Sequence, residues 1–193
     1  MKVLLHCCCG PCLGGSFPIL EKKIGCGNAA VFWENPNIHP YVEYIQRSNS
    51  FLKLSDALGL KVFKGDADYG LNRFLANLRG VYDERRCETC YSMRFEAVAK
   101  AAIIHGFEAI STTLFISPYQ NHDLLKEIGE KTAQKHGLKL CYVDFRPGFK
   151  NTYDVIREND LYKQKYCGCI FSEYDRFKND KKLKNPFKEP ESS

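Results

Sequence analysis

The sequence predicts an α/β fold, built as an open parallel sheet of about five strands with helices on both faces. Short apolar runs recur along the chain, and segments with helical spacing that stop at glycine separate them. Short apolar runs are typical of strands buried in a parallel sheet. The order strand, helix, glycine, strand indicates βαβ crossovers. We therefore expect an open, Rossmann-like sheet in which ligands bind beyond the carboxyl ends of the strands.

Each element of this sheet has its own signal. Apolar runs predict strands at 2–5, 29–33, 60–63, 109–112 and 139–143. Helical spacing predicts helices over 41–58, 91–105 and 124–136, which end at Gly59, Gly106 and Gly137. The first predicted strand is followed by a further helix that begins near Pro11. The stretches 65–86 and 151–181 fit the sheet poorly, and we expect helical excursions that fold over the strand ends as a cap.

Length and composition limit the domain organisation. The chain has 193 residues and a hydrophobic fraction of 44%, which suits one globular domain; we place it at 1–180, with a flexible basic tail at 181–193. No apolar run approaches the ~20 residues of a membrane span, and no targeting segment is recognisable. We therefore expect a cytoplasmic protein that does not bind membranes. The net charge of +5 is modestly basic, and the lysine-rich tail either contacts phosphates or is simply solvated.

Cysteine is the most informative residue type in the chain. Eight of the ten cysteines fall in three groups, CCCGPC at 7–12, CETC at 87–90 and CGC at 167–169. Structural disulfides are rare in reducing compartments, so clustered thiols there indicate a soft metal, an iron-sulfur cluster or redox chemistry. The first group follows the first predicted strand, where a Rossmann-like sheet binds its ligands.

Spacing suggests how these thiols would combine. The backbone turn at Gly10 lets Cys8 and Cys9 face one site, and the i, i+3 spacing puts Cys87 and Cys90 on one side of a helix. A four-thiolate site made of these residues is the simplest arrangement, with Cys12 as an additional candidate ligand. Cys167 and Cys169 are too close in sequence for a relaxed disulfide, so we expect a labile redox pair, further metal ligands or idle thiols.

Two other interpretations stay open at this point. Cys9-Gly10-Pro11-Cys12 after a strand also fits the dithiol of a thioredoxin-like oxidoreductase, which leaves the other thiols unexplained. Four cysteines could alternatively hold a structural zinc ion in a non-catalytic RNA-binding module.

Longer motifs resemble one family, the cobalamin-independent epoxyqueuosine reductases. The motifs include CCCGPC at 7–12, NPNIHP at 35–40 with Glu43, Tyr44 and Arg47, and RCETCY at 86–91 with Met93 and Arg94. They continue with STTL at 111–114, ISP at 116–118, DFR at 144–146 and YKQKYCGCI at 162–170. The resemblance runs across most of the chain.

The resemblance implies an activity and its cofactors. A member of this family converts epoxyqueuosine to queuosine at the wobble position of tRNA, by two-electron removal of the epoxide oxygen. It implies a [4Fe–4S] cluster and a second, mononuclear iron held by cysteine and carboxylate. For the second iron, Cys12 and Asp144 are our candidates, with Asp66 and Asp68 as competitors for the carboxylate role. An electron donor of unknown identity completes the predicted reaction.

Catalytic and substrate-binding residues are assigned on the same motifs. Asp144 is predicted to donate a proton, and Cys167 and Cys169 to act as a redox-active pair during turnover. A nucleotide splayed from the anticodon loop would be stacked on aromatic rings and held by polar and basic groups. The predicted substrate-binding residues are Asn35, Asn37, His39, Arg47, Arg94 and Tyr119. Packing, a rigid turn or a surface ion pair is the alternative role for each of them.

Overall fold

The computed structural model describes residues 1–66, 68–180 and 182–183. It contains a sheet of five parallel strands in the spatial order β3-β2-β1-β4-β5. The strands are β1 Val3–His6, β2 Ala29–Trp33, β3 Val62–Lys64, β4 Ala109–Thr112 and β5 Lys139–Leu140. This is the strand order of a doubly wound fold, and the predicted open parallel sheet is confirmed.

The helices form two packed groups. They are α1 Gly10–Ile24, α2 Tyr41–Ala57, α3 Leu71–Leu78, α4 Arg86–Ile104, α5 His122–Lys135, α6 Asn151–Asn159 and α7 Ile170–Phe177. α1 packs against α2 and α6, whereas α4 packs against α5. Because crossovers between parallel strands are right-handed as a rule, helices that connect strands on either side of β1 belong on opposite faces of the sheet.

The predicted boundaries hold best where a glycine ends a helix. α2, α4 and α5 stop just before Gly59, Gly106 and Gly137, which have φ angles of 63°, 71° and 67°. Positive φ favours glycine, so these positions end the helices as expected. α4 begins five residues earlier than predicted, at Arg86, and its first turns therefore carry Cys87 and Cys90.

The last strand is shorter than its apolar run. β5 ends at Leu140, three residues before the predicted end, and Cys141 donates the last backbone bond to Ile110. Beyond it, Cys141 and Val143 stay buried although they belong to no strand. The apolar run that predicted a strand up to residue 143 therefore reflects the burial of these residues, not the length of the strand. β3 is also displaced, beginning at Val62 instead of residue 60.

Glycine 10 brings α1 into close contact with α2. A Cβ atom at this position would lie 2.4 Å from the Ser50 carbonyl oxygen, which belongs to the α2 backbone. Only a residue without a side chain fits such an approach. The helix that follows the first cysteine group is thus packed tightly against its neighbour from its first residue onward.

The excursions outside the sheet are helical, as predicted. Residues 65–86 contain α3, and 151–181 contain α6 and α7. Phe74 and Leu78 of α3 pack against Cys90 and Cys169, so the cap brings together thiols from distant parts of the chain. In the predicted tail, residues 181 and 184–193 lie outside the described residues, and the division at residue 180 stays a prediction. None of the helices described here could cross a bilayer.

Candidate metal centre

The first cysteine group leaves the sheet at the carboxyl end of β1, the central strand. Cys7 donates its backbone N–H to Phe32 on β2, and its thiol is fully buried. Burial raises the pKa of Cys7 well above its usual value. Cys7 is therefore a neutral thiol of the core.

Cys8, Cys9 and Cys12, hereafter the thiol trio, form a compact cluster. Their three Sγ atoms all lie within 4.8 Å of one another, and all three residues are buried. The start of α1 produces this arrangement, because the Cys9 sulfur caps the helix by accepting the Cys12 backbone N–H at 3.3 Å. Residues three apart at a helix start lie on one side. Local geometry alone therefore brings Cys9 and Cys12 together.

The trio can carry negative charge at neutral pH. Hydrogen bonds from Cys12 and Cys9, together with Arg94 and Thr113, hold the pKa of Cys8 well below its usual value. Burial raises the pKa of Cys9, and hydrogen bonding to Cys8 and Cys9 raises the pKa of Cys12. Negative charge is therefore favoured on Cys8 before the other two sulfurs, and a soft metal ion that replaces the remaining protons would be well matched to these donors.

Two buried arginines flank the trio. Arg47 on α2 acts electrostatically on Cys9, and Arg94 on α4 acts on Cys8. Arg94 also approaches the Cys90 sulfur at 3.8 Å and donates to Asn35 Oδ1 at 2.9 Å. Positive charge at this depth favours thiolates and would partly neutralise an anionic metal-sulfur group.

Arg47 has a second role that sequence reasoning did not assign. Its Nε donates to Glu43 at 2.7 Å in a buried ion pair. Its two terminal nitrogens donate to the backbone oxygens of Cys167 and Tyr166 at 2.9 and 2.8 Å. Arg47 therefore fixes the Cys167-Gly168-Cys169 loop to α2. Each of its three guanidinium nitrogens has a hydrogen-bond partner in the protein.

The other predicted thiols form a second group, composed of Cys87, Cys90, Cys167 and Cys169. Burial raises the pKa of Cys87 to about 11 and that of Cys90 to about 12, and the nearby Cys167 and Cys169 add to both shifts. Cys90 and Cys169 are buried, whereas Cys167 is exposed and accepts a hydrogen bond from Gln120 at 3.3 Å. Cys169 caps α7. All four are free thiols.

The predicted four-thiolate set is thus divided between two groups. Cys8 and Cys9 have Cys12 as their close partner, and Cys87 and Cys90 are not among the sulfurs within 4.8 Å. Arg94 connects the two groups, since it contacts Cys90 and its charge also acts on Cys8. The redox pair and the ligand set stay predictions.

The asparagine-proline turn lies beside these groups. Asn35 donates to the Cys7 carbonyl at 2.9 Å and accepts from Arg94, so it positions the arginine. Asn37 is 1% exposed, and neither atom of its amide group has a hydrogen-bond partner among the residues that the structure describes. His39 is buried, and its backbone N–H donates a hydrogen bond to the Gly168 carbonyl in the Cys167-Gly168-Cys169 loop, hereafter the thiol loop. Tyr119, 84% exposed, stands at the surface.

The predicted carboxylates are all engaged by arginines. Asp144 pairs with Arg146 at 2.7 Å, and that hydrogen bonding lowers its pKa. Asp66 and Asp68 both pair with Arg73, which also contacts Glu34. A carboxyl group with a lowered pKa is ionised at neutral pH and donates a proton poorly. The proton-donor role of Asp144 stays a prediction, and the ion pair with Arg146 disfavours that role.

Three residues of the site were missed from sequence. Thr113 accepts the Cys8 N–H and donates to the Cys8 sulfur at 3.5 Å, and Gln164 donates to the Cys9 and Cys12 sulfurs. His6 receives the Arg94 Nε at 3.4 Å, and burial, followed by Arg94, lowers its pKa to about 3. Thr113 and Gln164 lie within the STTL and YKQKYCGCI motifs quoted above. Their place in a motif could have marked them as site residues, but their residue types did not indicate hydrogen bonds to cysteine sulfurs.

Fold and site together define a doubly wound α/β protein with a buried cluster of thiols able to bind a metal. A family model described as "Epoxyqueuosine reductase QueH" matches residues 3–175. The chain belongs to this family, as the motifs led us to expect.

Individual relatives agree over nearly the whole chain. Proteins named "Epoxyqueuosine reductase QueH" from Dehalococcoides mccartyi and Thermotoga maritima are 37% and 32% identical to it. These alignments cover 91% and 90% of the chain, and 94% and 91% of the respective relatives. A relative of the same name from Staphylococcus epidermidis is 32% identical over 89% of the chain.

Proposed function

We propose that the chain is an iron-sulfur epoxyqueuosine reductase that acts on the wobble nucleotide of tRNA. The reaction removes the epoxide oxygen as water and leaves an alkene, which takes two electrons and two protons. The observation that carries the proposal is the thiol trio, three buried sulfurs within 4.8 Å beside two buried arginines, in a chain of this family.

The residues present fit an iron-sulfur group. Thiolates are its ordinary protein ligands, and the trio places three sulfurs, enough to serve a cluster and a neighbouring iron, at a sheet edge where α/β folds bind ligands. We propose Cys8, Cys9, Cys87 and Cys90 as ligands of a [4Fe–4S] cluster, with Cys12 available to a second, mononuclear iron. Such a group would supply single electrons and a Lewis-acidic iron for the epoxide oxygen.

The surrounding residues would prepare the site for this group. Arg47 and Arg94 oppose the negative charge of the thiolates, and Asn35 and His6 hold Arg94 in place. Asn37, buried with its amide group unpartnered among the described residues, offers both a donor and an acceptor to a polar substrate group. Tyr119, with its ring largely exposed, is available to stack on a base of a single-stranded loop.

The C-terminal thiols have a proposed role in turnover. Cys167 is exposed and Cys169 buried on the loop that Arg47 holds. As a pair that closes to a disulfide they would release two electrons and two protons, the number that the reaction consumes. A strained pair of this kind would be reduced again readily by an external donor.

An activity assay tests the proposal directly. Anaerobic protein reconstituted with iron and sulfide is reduced with dithionite and given an anticodon hairpin that carries epoxyqueuosine, and the digested nucleosides are weighed by mass spectrometry. We expect a product lighter by one oxygen, and none from metal-free protein. Cys26→Ser, a change at an exposed cysteine outside both groups, is the matched control and should stay active. Conversion by metal-free protein, or none by loaded protein, would contradict the proposal.

The two alternative functions are not favoured. Cys9 and Cys12, the thiols that a thioredoxin-like mechanism would use, have pKa values raised well above normal, whereas an attacking thiol needs thiolate character. A zinc-stabilised module would give a colourless protein, while an iron-sulfur protein purified without oxygen absorbs visible light. Absorption and metal analysis of the purified protein distinguish these two cases.

A further inference from the structure

Gln164 lies directly against the thiol trio. Its side-chain Nε2 is 3.1 Å from the Cys9 sulfur and 3.4 Å from the Cys12 sulfur. A primary amide nitrogen carries two hydrogens, so it can donate one to each of two acceptors. Gln164 therefore uses both of its donors on sulfur atoms of the candidate metal centre.

The backbone on both sides of Gln164 is fixed to α2. Tyr162 donates its N–H to Ser50 Oγ at 2.9 Å, and its hydroxyl donates to Glu43. The Tyr166 carbonyl accepts from Arg47 at 2.8 Å. Because the chain is held two residues before and two residues after Gln164, the amide is pre-positioned over the trio.

The orientation of the amide carries a cost. Gln164 Oε1 is buried and has no hydrogen-bond partner among the residues that the structure describes. A buried acceptor without a hydrogen-bond partner lowers the stability of the fold. Thiols could donate to this oxygen, but thiolates are acceptors only and require the N–H groups. The arrangement therefore suits sulfurs in the ionised form that binds a metal.

We infer that Gln164 is a positioning residue of the metal centre, which holds the Cys9 and Cys12 sulfurs as ligands and stabilises the centre in its more negative, reduced state. This inference rests on the metal site of the proposed function. Hydrogen bonds to sulfur are among the determinants of iron-sulfur potentials. Loss of a residue that supports metal ligands in this way weakens metal affinity by about 10–100-fold.

Cobalt titration separates this role from simple packing. Anaerobic, metal-free protein is titrated with Co²⁺ alone, and the cobalt-thiolate absorption gives the dissociation constant. Gln164→Leu keeps most of the side-chain volume and removes the donors, whereas Gln164→Ala removes both. We expect both variants to bind Co²⁺ about tenfold more weakly than wild type. Gln134→Leu, at an exposed glutamine on α5, is the control and should bind like wild type.

Each other outcome overturns the inference in a recognisable way. Gln164→Leu behaving as wild type while Gln164→Ala binds weakly would assign a packing role, and two wild-type-like variants would leave no role at all. Wild type that binds no Co²⁺ would instead remove the metal site itself. Circular dichroism of the metal-free variants establishes that they are folded.

The reduction potential provides a second readout. Protein reconstituted with iron and sulfide is titrated electrochemically, and both variants should show a more negative midpoint than wild type. A tenfold loss of affinity confined to the reduced state corresponds to about 59 mV for one electron. An unchanged midpoint in both variants would contradict the stabilisation of the reduced state.

Discussion

The two thiol groups of this molecule are assembled in opposite ways. Cys8, Cys9 and Cys12 come from five consecutive residues, and a strand end and a helix start are enough to bring their sulfurs together. Cys87, Cys90, Cys167 and Cys169 come from segments about eighty residues apart along the sequence, and the packing of α3 against α4 and the C-terminal loop unites them. The first group is local, whereas the second depends on the completed fold.

Their protonation differs accordingly. The pKa of Cys8 is lowered by hydrogen bonds from its neighbours, while burial raises the pKa values of Cys87 and Cys90. Hydrogen-bond donors and Arg94 therefore stabilise negative charge on Cys8, and burial under the cap opposes it on Cys87 and Cys90. The comparison teaches that clustering of cysteines does not by itself make two sites equivalent.

The strongest test removes one sulfur from each group. In Cys9→Ser the hydroxyl can still cap α1, but it is a poor ligand for a soft metal, and we expect iron binding to fall below detection by metal analysis. Cys167→Ser should retain its iron, because this exposed thiol is outside the proposed ligand set. Equal iron contents in the two variants would remove the distinction between the groups.

The second test concerns the connection between α2 and the C-terminal thiols. Arg47→Met leaves Glu43 buried without its partner, and we expect the free energy of unfolding in urea to fall by about 3–5 kcal/mol. Arg85→Met removes an exposed ion pair to Asp83 and should leave the free energy of unfolding nearly unchanged, because water screens such a pair. Similar losses in both variants would mean that the buried pair contributes no more than an exposed one.

The third test follows the charge on the trio. Thiolate absorbs in the ultraviolet, so metal-free wild type should show this absorption at pH 7 and the folded variant Cys8→Ser should lack it. Ionisation of Cys87 and Cys90 should require pH values near 11 and 12.

The same shifts determine how stability depends on pH. The unfolded state loses the thiol protons of Cys87 and Cys90 near pH 9, below the pKa values of the folded state. The contribution of these two residues to the free energy of unfolding therefore falls as the pH rises from about 9 to 12. Cys90→Ala should therefore show a shallower decline of the unfolding midpoint over this range than wild type. An equal or steeper decline would show that Cys90 is not protonated through burial.

The smallest expected effect lies at Thr113. Thr113→Val keeps the shape and removes the hydroxyl that bonds both the Cys8 sulfur and its N–H. We expect a loss of about 1 kcal/mol in urea unfolding and a higher pKa of Cys8, visible as weaker thiolate absorption at pH 7. If the thiolate absorption is unchanged, hydrogen bonding from Thr113 does not support the charge.

Much of the sheet could be predicted because its signals are local. Apolar runs and terminal glycines located β2 and β4 to the residue and the ends of α2, α4 and α5 to within one residue. β5 was overestimated because Cys141 and Val143 are buried although they lie beyond the end of the strand. The hydrophobic pattern of a sequence indicates which residues are buried. The end of a strand depends instead on backbone hydrogen bonds that exist only in the folded molecule.

The site was predictable to a smaller extent. The chemistry of Cys8, Cys9 and Cys12 is visible in their spacing, but the separation of Cys87 and Cys90 from them depends on how α3 and the C-terminal loop pack. Arg47 shows the same limit. Its motif marked it as a ligand-binding residue, whereas its bonds to Glu43 and the thiol loop arise from tertiary structure that a sequence pattern does not contain.

The contact at Gly10 makes the sulfur positions inseparable from the packing of two helices. Exchanging one hydrogen for a methyl group there would push the start of α1 away from the Ser50 carbonyl. That displacement would carry Cys9 and Cys12 with it, since one precedes and the other follows within a single turn. Position 10 should therefore tolerate no substitution in any homologue that relies on these sulfurs, although glycine itself has no side chain with which to bind a metal.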